Sequence, residues 1–254
     1  MIRHGKIGEK WKLYSSWGQV WRTTQQRQTR MKKGIILVGL LGLILVGGFY
    51  AKRKFYDPKH RFDSVKTEVK KLANKNEIKN GDLIFQISLS EQSKAIQLAT
   101  NSKYSHCGII YSDNGQYYVF EAVQPVKTTP LDKWVARGKD GHYVIKRLKN
   151  ADKVLTTEVL QKMKQEGEKF KGKNYDLTFE WSDDKIYCSE LIWKIYKRTT
   201  YLEVGKLEKL GDFDLTNEVV QQKMKERYGD KIPMDEIVIS PKAVFDSELL
   251  ETIK

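Results

Sequence analysis

The chain is poor in cysteine and histidine: its 254 residues hold two of the first and four of the second. Two cysteines cannot build a disulfide framework, and Cys107 and Cys188 allow one bridge at most. Their spacing to the histidines matches no zinc signature, so no metal and no cofactor is expected. No internal repeat appears, and no low-complexity segment past residue 51. Acid is nearly missing from residues 1–33, where nine Lys and Arg stand against Glu9 alone. That stretch carries +8 of the net +14, and the other 221 residues share +6, an ordinary surface. No nucleic-acid motif accompanies the charge, so no nucleic-acid partner is expected.

Charge is also missing from Gly34 to Ala51, GIILVGLLGLILVGGFYA. At 1.5 Å per residue, these eighteen residues reach roughly 27 Å, enough to cross a bilayer core. Lys32-Lys33 precede the run and Lys52-Arg53-Lys54 follow it. The heavier positive charge before it favours a cytoplasmic N-terminus. The run reads as a transmembrane anchor or uncleaved signal, with a cleaved signal peptide as its rival. Either way the remainder is expected outside the cytoplasm, in the cell envelope. Residues 1–33 then form a disordered basic tail or an over-extended start, 52–61 a linker, and 62–254 one globular domain. The 40% hydrophobic and 11% aromatic content suits a packed core.

Within that domain Phe62, Val65, Val69 and Leu72 mark an amphipathic helix. Leu83 to Ile87 reads as a short strand, and Ser90 as the cap of a helix reaching Thr100. SHCGIIY at 105–111 and YYVFEAV at 117–123 are strand-forming runs around Asp113-Asn114-Gly115, a hairpin signal. With Asn114-Gly115 as a two-residue turn, Gly108 faces Glu121 and His106 faces Val123. His106 and Glu121 are then diagonal neighbours on one face, roughly 7–8 Å apart at the backbone. A slip of one residue would part them. Leu131 to Trp134 reads as a turn and His142 to Leu148 as a strand. Helices are expected over Val154 to Lys171 and Leu215 to Tyr228, stopped by Gly172 and Gly229. Ile237 to Ile239 reads as a strand, and Ser240-Pro241 opens a last helical turn.

YCSELIW at 187–193 reads as the start of a buried helix with a cysteine at its tip. Cys188, Ile192 and Ile195 share one face, while Glu190, Lys194, Lys197 and Arg198 take a polar side. Glu190 and Lys194 are spaced for an ion pair, and Ser182, Asp183 and Asp184 supply start signals. The helix dipole and unpaired N–H groups at such a tip favour thiolate. A cysteine in an apolar helix is still more often inert core than nucleophile. Likewise a strand-end histidine is more often structural than catalytic. Glu121 resists the bland reading, because a carboxylate between Phe120 and Ala122 needs a partner once buried. His106 supplies one. Cys107 is expected on the opposite face, a small core residue turned away from His106 and Cys188. That counts against both a disulfide and a metal site there.

GDLIF at 81–85, SHCGIIY at 105–111, FEAV at 120–123, GKNYD at 172–176 and YCSELIW at 187–193 share their order with permuted papain-like hydrolases. Over roughly residues 78–250, including ISPKAVFDS near the end, the chain resembles the circularly permuted branch of the NlpC/P60 superfamily. It looks most like the YiiX/YaeF-type group. The resemblance implies an α+β fold, a papain-like core whose antiparallel sheet packs on the cysteine helix. It also implies a catalytic triad of Cys188, His106 and Glu121. Cys107 departs from the pattern, standing where the family more often has an aliphatic residue.

A cysteine hydrolase follows. Cys188 attacks a carbonyl carbon to give an acyl-enzyme, His106 protonates the leaving group and then activates water, and Glu121 holds the ring. The Cys188 backbone N–H is an oxyanion donor, with Gln86 or Tyr104 as side-chain candidates. Tyr175 and Ser189 complete the expected substrate-binding set. The expected substrate is a peptide or isopeptide amide, cell-wall peptides included. The alternative within enzymes is a lipid acyl hydrolase or acyltransferase. Outside enzymes it is a membrane-attached binding module without catalysis.

Overall fold

The computed structural model describes residues 57–75 and 77–254, together with Met31, residues 42–43 and 46–50, and Lys52. Of the expected anchor only residues 42–43 and 46–50 are therefore described. They are helical, and Leu43, Val46, Phe49 and Tyr50 are exposed. The rest of that run, the basic tail apart from Met31, and linker residues 53–56 lie outside the described residues. No helix among the described residues is long and apolar enough to cross a membrane.

Helix α1 (Asp57–Asn74) begins inside the expected linker. It is followed by β1 (Leu83–Gln86), α2 (Ser93–Thr100), β2 (His106–Asp113), β3 (Gln116–Glu121), β4 (Lys127–Pro130), α3 (Leu131–Ala136) and β5 (Tyr143–Leu148). Then come α4 (Ala151–Val154), α5 (Thr157–Glu168), α6 (Cys188–Thr200), β6 (Glu208–Lys209), α7 (Glu218–Tyr228), β7 (Ile237–Val238), α8 (Pro241–Phe245) and β8 (Leu250–Thr252). A six-stranded antiparallel sheet runs β4-β3-β2-β1-β5-β8, and β6 pairs with β7. The α+β expectation with an antiparallel sheet holds.

Strand alternation sends one set of side chains to each face of the sheet. Leu83, Phe85, Cys107 and Ile109 share a core with Leu191, Ile192 and Ile195 of α6, Met163 of α5 and Val244 of α8. On the other face Ile84, Ile110, Val119 and Ile145 meet Val65 of α1 and Leu131, Trp134 and Val135 of α3. Burying each such side chain is worth roughly 1.5–3 kcal/mol, so these two layers dominate the driving force. A smaller cluster joins Ala95 of α2 to Val220 and Met224 of α7.

The hairpin has the expected register: Ile109 pairs with Phe120 and Asp113 with Gln116. Asn114 (φ 48°) and Gly115 (φ 76°) make the turn in the left-handed region that Asn and Gly adopt most easily. Other local expectations change. Ser90 is not the cap of α2, which opens after Gln92. Residues 131–134 are helix rather than turn, because Leu131, Trp134 and Val135 at i, i+3 and i+4 bury one face on the sheet. The helix expected over 154–171 is broken, and Thr156 caps its second part by accepting from the Val159 N–H. Strands β4, β6 and β8 were not legible, being short pieces whose partners lie far along the chain.

Candidate active site

The apolar face of helix α6 packs on the sheet, and the first half of its expected polar face is buried as well, with Glu190 0% and Lys194 3% exposed, whereas Lys197 is half-buried and Arg198 exposed. Glu190 pairs with Lys194 at 2.7 Å, and Lys194 and Arg198 both bind the Asp183 carboxylate. Asp183 is thus an ion-pair partner of the helix and not its start signal. The N-cap is Tyr187, whose N–H donates to Glu190 Oε2 at 3.4 Å. Cys188 is the first helical residue, among the N–H groups that have no acceptor within the helix.

His106 opens β2 and Glu121 closes β3, so antiparallel pairing brings both to one end of the hairpin. His106 Nε2 and Glu121 Oε2 are 2.6 Å apart. Glu121 is fully buried and accepts further bonds from Thr129 Oγ1 (2.7 Å), Trp134 Nε1 (2.8 Å) and the Arg137 guanidinium. The imidazole stacks on Trp134 with ring centroids 5.7 Å apart. Thr129, Trp134 and Arg137 escaped the sequence reading. The lone carboxylate in a strong strand signalled that partners exist, but only the packing of α3 and β4 supplies them.

Burial alone would raise the Glu121 carboxyl, but hydrogen bonds and charge from His106, Arg137 and Thr129 outweigh it and bring it down to about 2. Burial alone would lower His106, yet its bonds to Cys188 and Glu121 and their negative charges lift it to about 9. The Cys188 thiol is held well below its ordinary value. The hydrogen bond from Cys107 is the main cause, acting against burial, and the bond and charge of His106 add to it. Glu121 occupies Nε2, so Nδ1 is the ring nitrogen left for the sulfur. These shifts favour thiolate at Cys188 and imidazolium at His106.

The expected separation of Cys107 from Cys188 is not observed; both thiols belong to the core between β2 and α6, and each shifts the titration of the other. Alternation does hold, for Cys107 points to the α6 face and His106 to the Trp134 face. The difference lies in α6, which packs on the Cys107 face. Its tip reaches the end of β2, where the sulfur meets Cys107 and the His106 ring together.

Residues 77–254 match the family of permuted papain-like amidase enzymes of the YaeF/YiiX type. The chain belongs to this family. It is 51% identical over 173 residues to the uncharacterized protein YiiX of Escherichia coli (strain K12), spanning 68% of this chain and 84% of the relative. The crystal structure of the metalloprotein yiiX from Escherichia coli O157:H7 is similar with a TM-score of 0.67 at 51% identity, covering 70% of this chain and 97% of that one.

In this member of the family a cleft opens beside Cys188, lined largely by Ile96, Phe179, Phe213, Leu215, Val220 and Met224. Tyr175 and Ser189 line it too, whereas Gln86 and Tyr104 do not. Gln86 is buried on the His106 side of the sheet against Gly138, and Tyr104 stacks on Phe245 at 4.4 Å within the core. Neither expected oxyanion donor therefore faces the cleft. The Ser189 hydroxyl is spent on the Ile239 carbonyl at 2.7 Å. The Tyr175 hydroxyl accepts from Gln92 Nε2 at 3.0 Å, and Gln92 Oε1 accepts from Arg227 at 2.7 Å. That relay leaves the hydrogen of Tyr175 to donate. Burial, with the Cys188 charge, keeps the phenol well above its usual value and so protonated. Gln92 and Arg227 carry no motif in the sequence, and only the fold brings them together.

Proposed function

We propose that the protein is a cysteine amidase working through an acyl-enzyme, with Cys188 as nucleophile, His106 as acid and base, and Glu121 as the carboxylate that orients the ring. The observation carrying this is the buried 2.6 Å bond between His106 and Glu121, with Cys188 against the same imidazole. The thiolate attacks the carbonyl carbon, and the electron pair displaced onto oxygen is met by the Cys188 N–H and the Tyr175 hydroxyl. Collapse breaks the C–N bond, and the amine leaves with the proton of His106. Water then gives a proton to His106 and opens the thioester, releasing the acid and restoring the ion pair. An amine leaves only when protonated, and an imidazolium held up to about 9 suits that demand.

The apolar cleft favours substrates with aliphatic or aromatic surface next to the scissile bond, and it supports acyl-lipid substrates as a second reading. A panel of peptide amides, cell-wall fragments, N-acyl amides and acyl lipids separates the two. A thiol-directed electrophile should label the wild type and not Cys188→Ala, and equal labelling of that variant would sink the assignment. A binding module without catalysis predicts no adduct at Cys188 at all.

The solved relative is described as a metalloprotein. No group of three or more His, Cys, Asp or Glu suited to a metal occurs among the described residues. The nearest donors are spent on one another, with His106 Nε2 on Glu121 and Cys188 on Cys107 and His106. They do not fit a metal, and no step is routed through one. The charge-free run 34–51 supports reading the enzyme as membrane-anchored with its catalytic domain outside the cytoplasm. Alkaline extraction of membranes should leave it in the pellet, and release into the supernatant would refute the anchor.

A further inference from the structure

The cysteine chemistry above uses none of the chain's excess charge. Residues 80–254, which hold the whole site, carry 27 Lys and Arg against 27 Asp and Glu and are balanced. The net +14 therefore lies entirely in residues 1–79. It falls as +8 before the charge-free run and +6 after it, where ten Lys and Arg of residues 52–79 face four acids. Part of the second group stands on α1. Val65, Val69 and Leu72 turn one side of this helix to the sheet, while Lys66, Lys70 and Lys71 are exposed on the rest of its surface. Of the acids from Asp63 to Glu77, Glu68 is taken by Lys254 and Glu77 by Lys75 at 3.5 Å, which leaves Asp63. Lys66, Lys70 and Lys71 have no ion-pair partner among the described residues. Six peptide steps separate Ala51, the end of the run, from Asp57, the start of α1, a reach of at most about 22 Å. A bilayer that holds the run is therefore never far from this helix.

We propose that the exposed side of α1 lies on an anionic lipid surface, with the ammonium groups of Lys66, Lys70 and Lys71 among the phosphates of acidic head groups. This rests on the membrane-anchored reading of residues 34–51 and goes beyond it, because an anchor alone leaves the domain free to turn over the surface. An ammonium at an anionic bilayer is favoured about fivefold over one in bulk solution, so three together hold a helix that the anchor already keeps near. The attraction is electrostatic and is screened by salt. It also sets which way the enzyme faces. Helix α1 covers one side of the sheet and α6 the other, and no residue lining the cleft beside Cys188 belongs to the cluster that α1 joins. The cleft is thus turned away from the lipid, and substrate enters from the aqueous side. That favours a peptide amide of the envelope over a lipid of the same bilayer.

The full chain, reconstituted in nanodiscs of phosphatidylcholine alone or mixed with phosphatidylglycerol, tests this without any substrate. The readout is the rate at which an N-hydroxysuccinimide ester acetylates each lysine, followed by peptide mass mapping. Lys66, Lys70 and Lys71 should react about fivefold more slowly in the anionic discs. Lys225, exposed on α7, should react alike in both. Salt at about 1 M, where the screening length is about 3 Å, should abolish the difference. Equal rates at the three lysines in both discs overturn the proposal. So does a slowing that includes Lys225, which would mean that the domain meets lipid with no fixed face. Failure of the anchor looks different: the chain then does not co-elute with the neutral discs. Anionic vesicles replace the discs in that case, and protection must still fall on the same three lysines or the proposal is lost.

Discussion

Glu121 shows how one side chain sets the chemistry of another. It is wholly enclosed, and every partner it has donates. Together with Cys188, the larger influence, its hydrogen bond and charge raise His106 against burial. Glu121→Gln removes the charge and little volume, so kcat/KM on any turned-over amide should fall on the order of 10²–10⁴-fold. Alkylation of Cys188 at pH 6 should slow with it, because the imidazolium that favours thiolate is weakened; unchanged alkylation would contradict the coupling. In the wild type, turnover should hold through neutral pH and fall as pH rises through about 9, where His106 loses the proton the amine needs. Alkylation by iodoacetamide needs only thiolate and should not fall there. A parallel fall of both rates would remove His106 from its role as acid.

At the scale of elements, the β2–β3 hairpin and the tip of α6 matter most. The hairpin fixes the face shared by His106 and Glu121, and its register depends on a turn that only a few residues accept. Gly115 has φ 76° and open space where a Cβ would go, so Gly115→Ala tests backbone strain alone. A loss of roughly 1–2 kcal/mol is expected from the left-handed penalty, read as a lower denaturant midpoint at unchanged m-value. The register was legible because a two-residue Asn-Gly turn leaves one pairing. The face of the sheet that α6 covers was not, since helical periodicity says which residues are apolar and nothing about which surface they meet. The error over Cys107 arose there. So did the misplacement of Gln86 and Tyr104, whose directions follow from neighbours distant in sequence.

The unit from Lys59 to Lys254 is a sheet covered on both sides, and Val65, Val69 and Leu72 of α1 pack on one of them. That helix precedes the region shared with the family, which begins at residue 77. A chain begun at Glu77 would uncover the face holding Ile84, Ile110 and Val119. It should melt at lower temperature than one begun at Asp57, and equal melting would show that α1 contributes nothing. Stability should also follow the buried ion pair. Glu121 is lowered from 4.5 to about 2, so its contribution is present above pH 4.5 and lost as pH falls through about 2. His106 is raised from 6.5 to about 9, so its contribution is complete below pH 6.5 and lost as pH rises through about 9. Cys188 is held well below its ordinary value of 9.0, so its own contribution grows as pH rises toward that value and offsets the loss at His106. Tm is therefore expected to stay nearly level between pH 6.5 and 9. A steep decline over that window would mean that the Cys188 thiol keeps its proton, and would count against the thiolate–imidazolium pair.

By itself the sequence determined what local rules govern: a helix begun by a cysteine, a hairpin with one register, and a carboxylate that demands a partner beside a histidine. These depend on residues within a turn or two of each other, where periodicity, turn chemistry and the cost of a buried charge leave few choices. Only the tertiary structure decided which face of the sheet α6 covers, that Cys107 meets the nucleophile, and that Thr129, Trp134, Arg137, Gln92 and Arg227 complete the site. Those contacts join residues far apart in the chain, and they are selected by how whole apolar surfaces fit together, which no short stretch of sequence encodes.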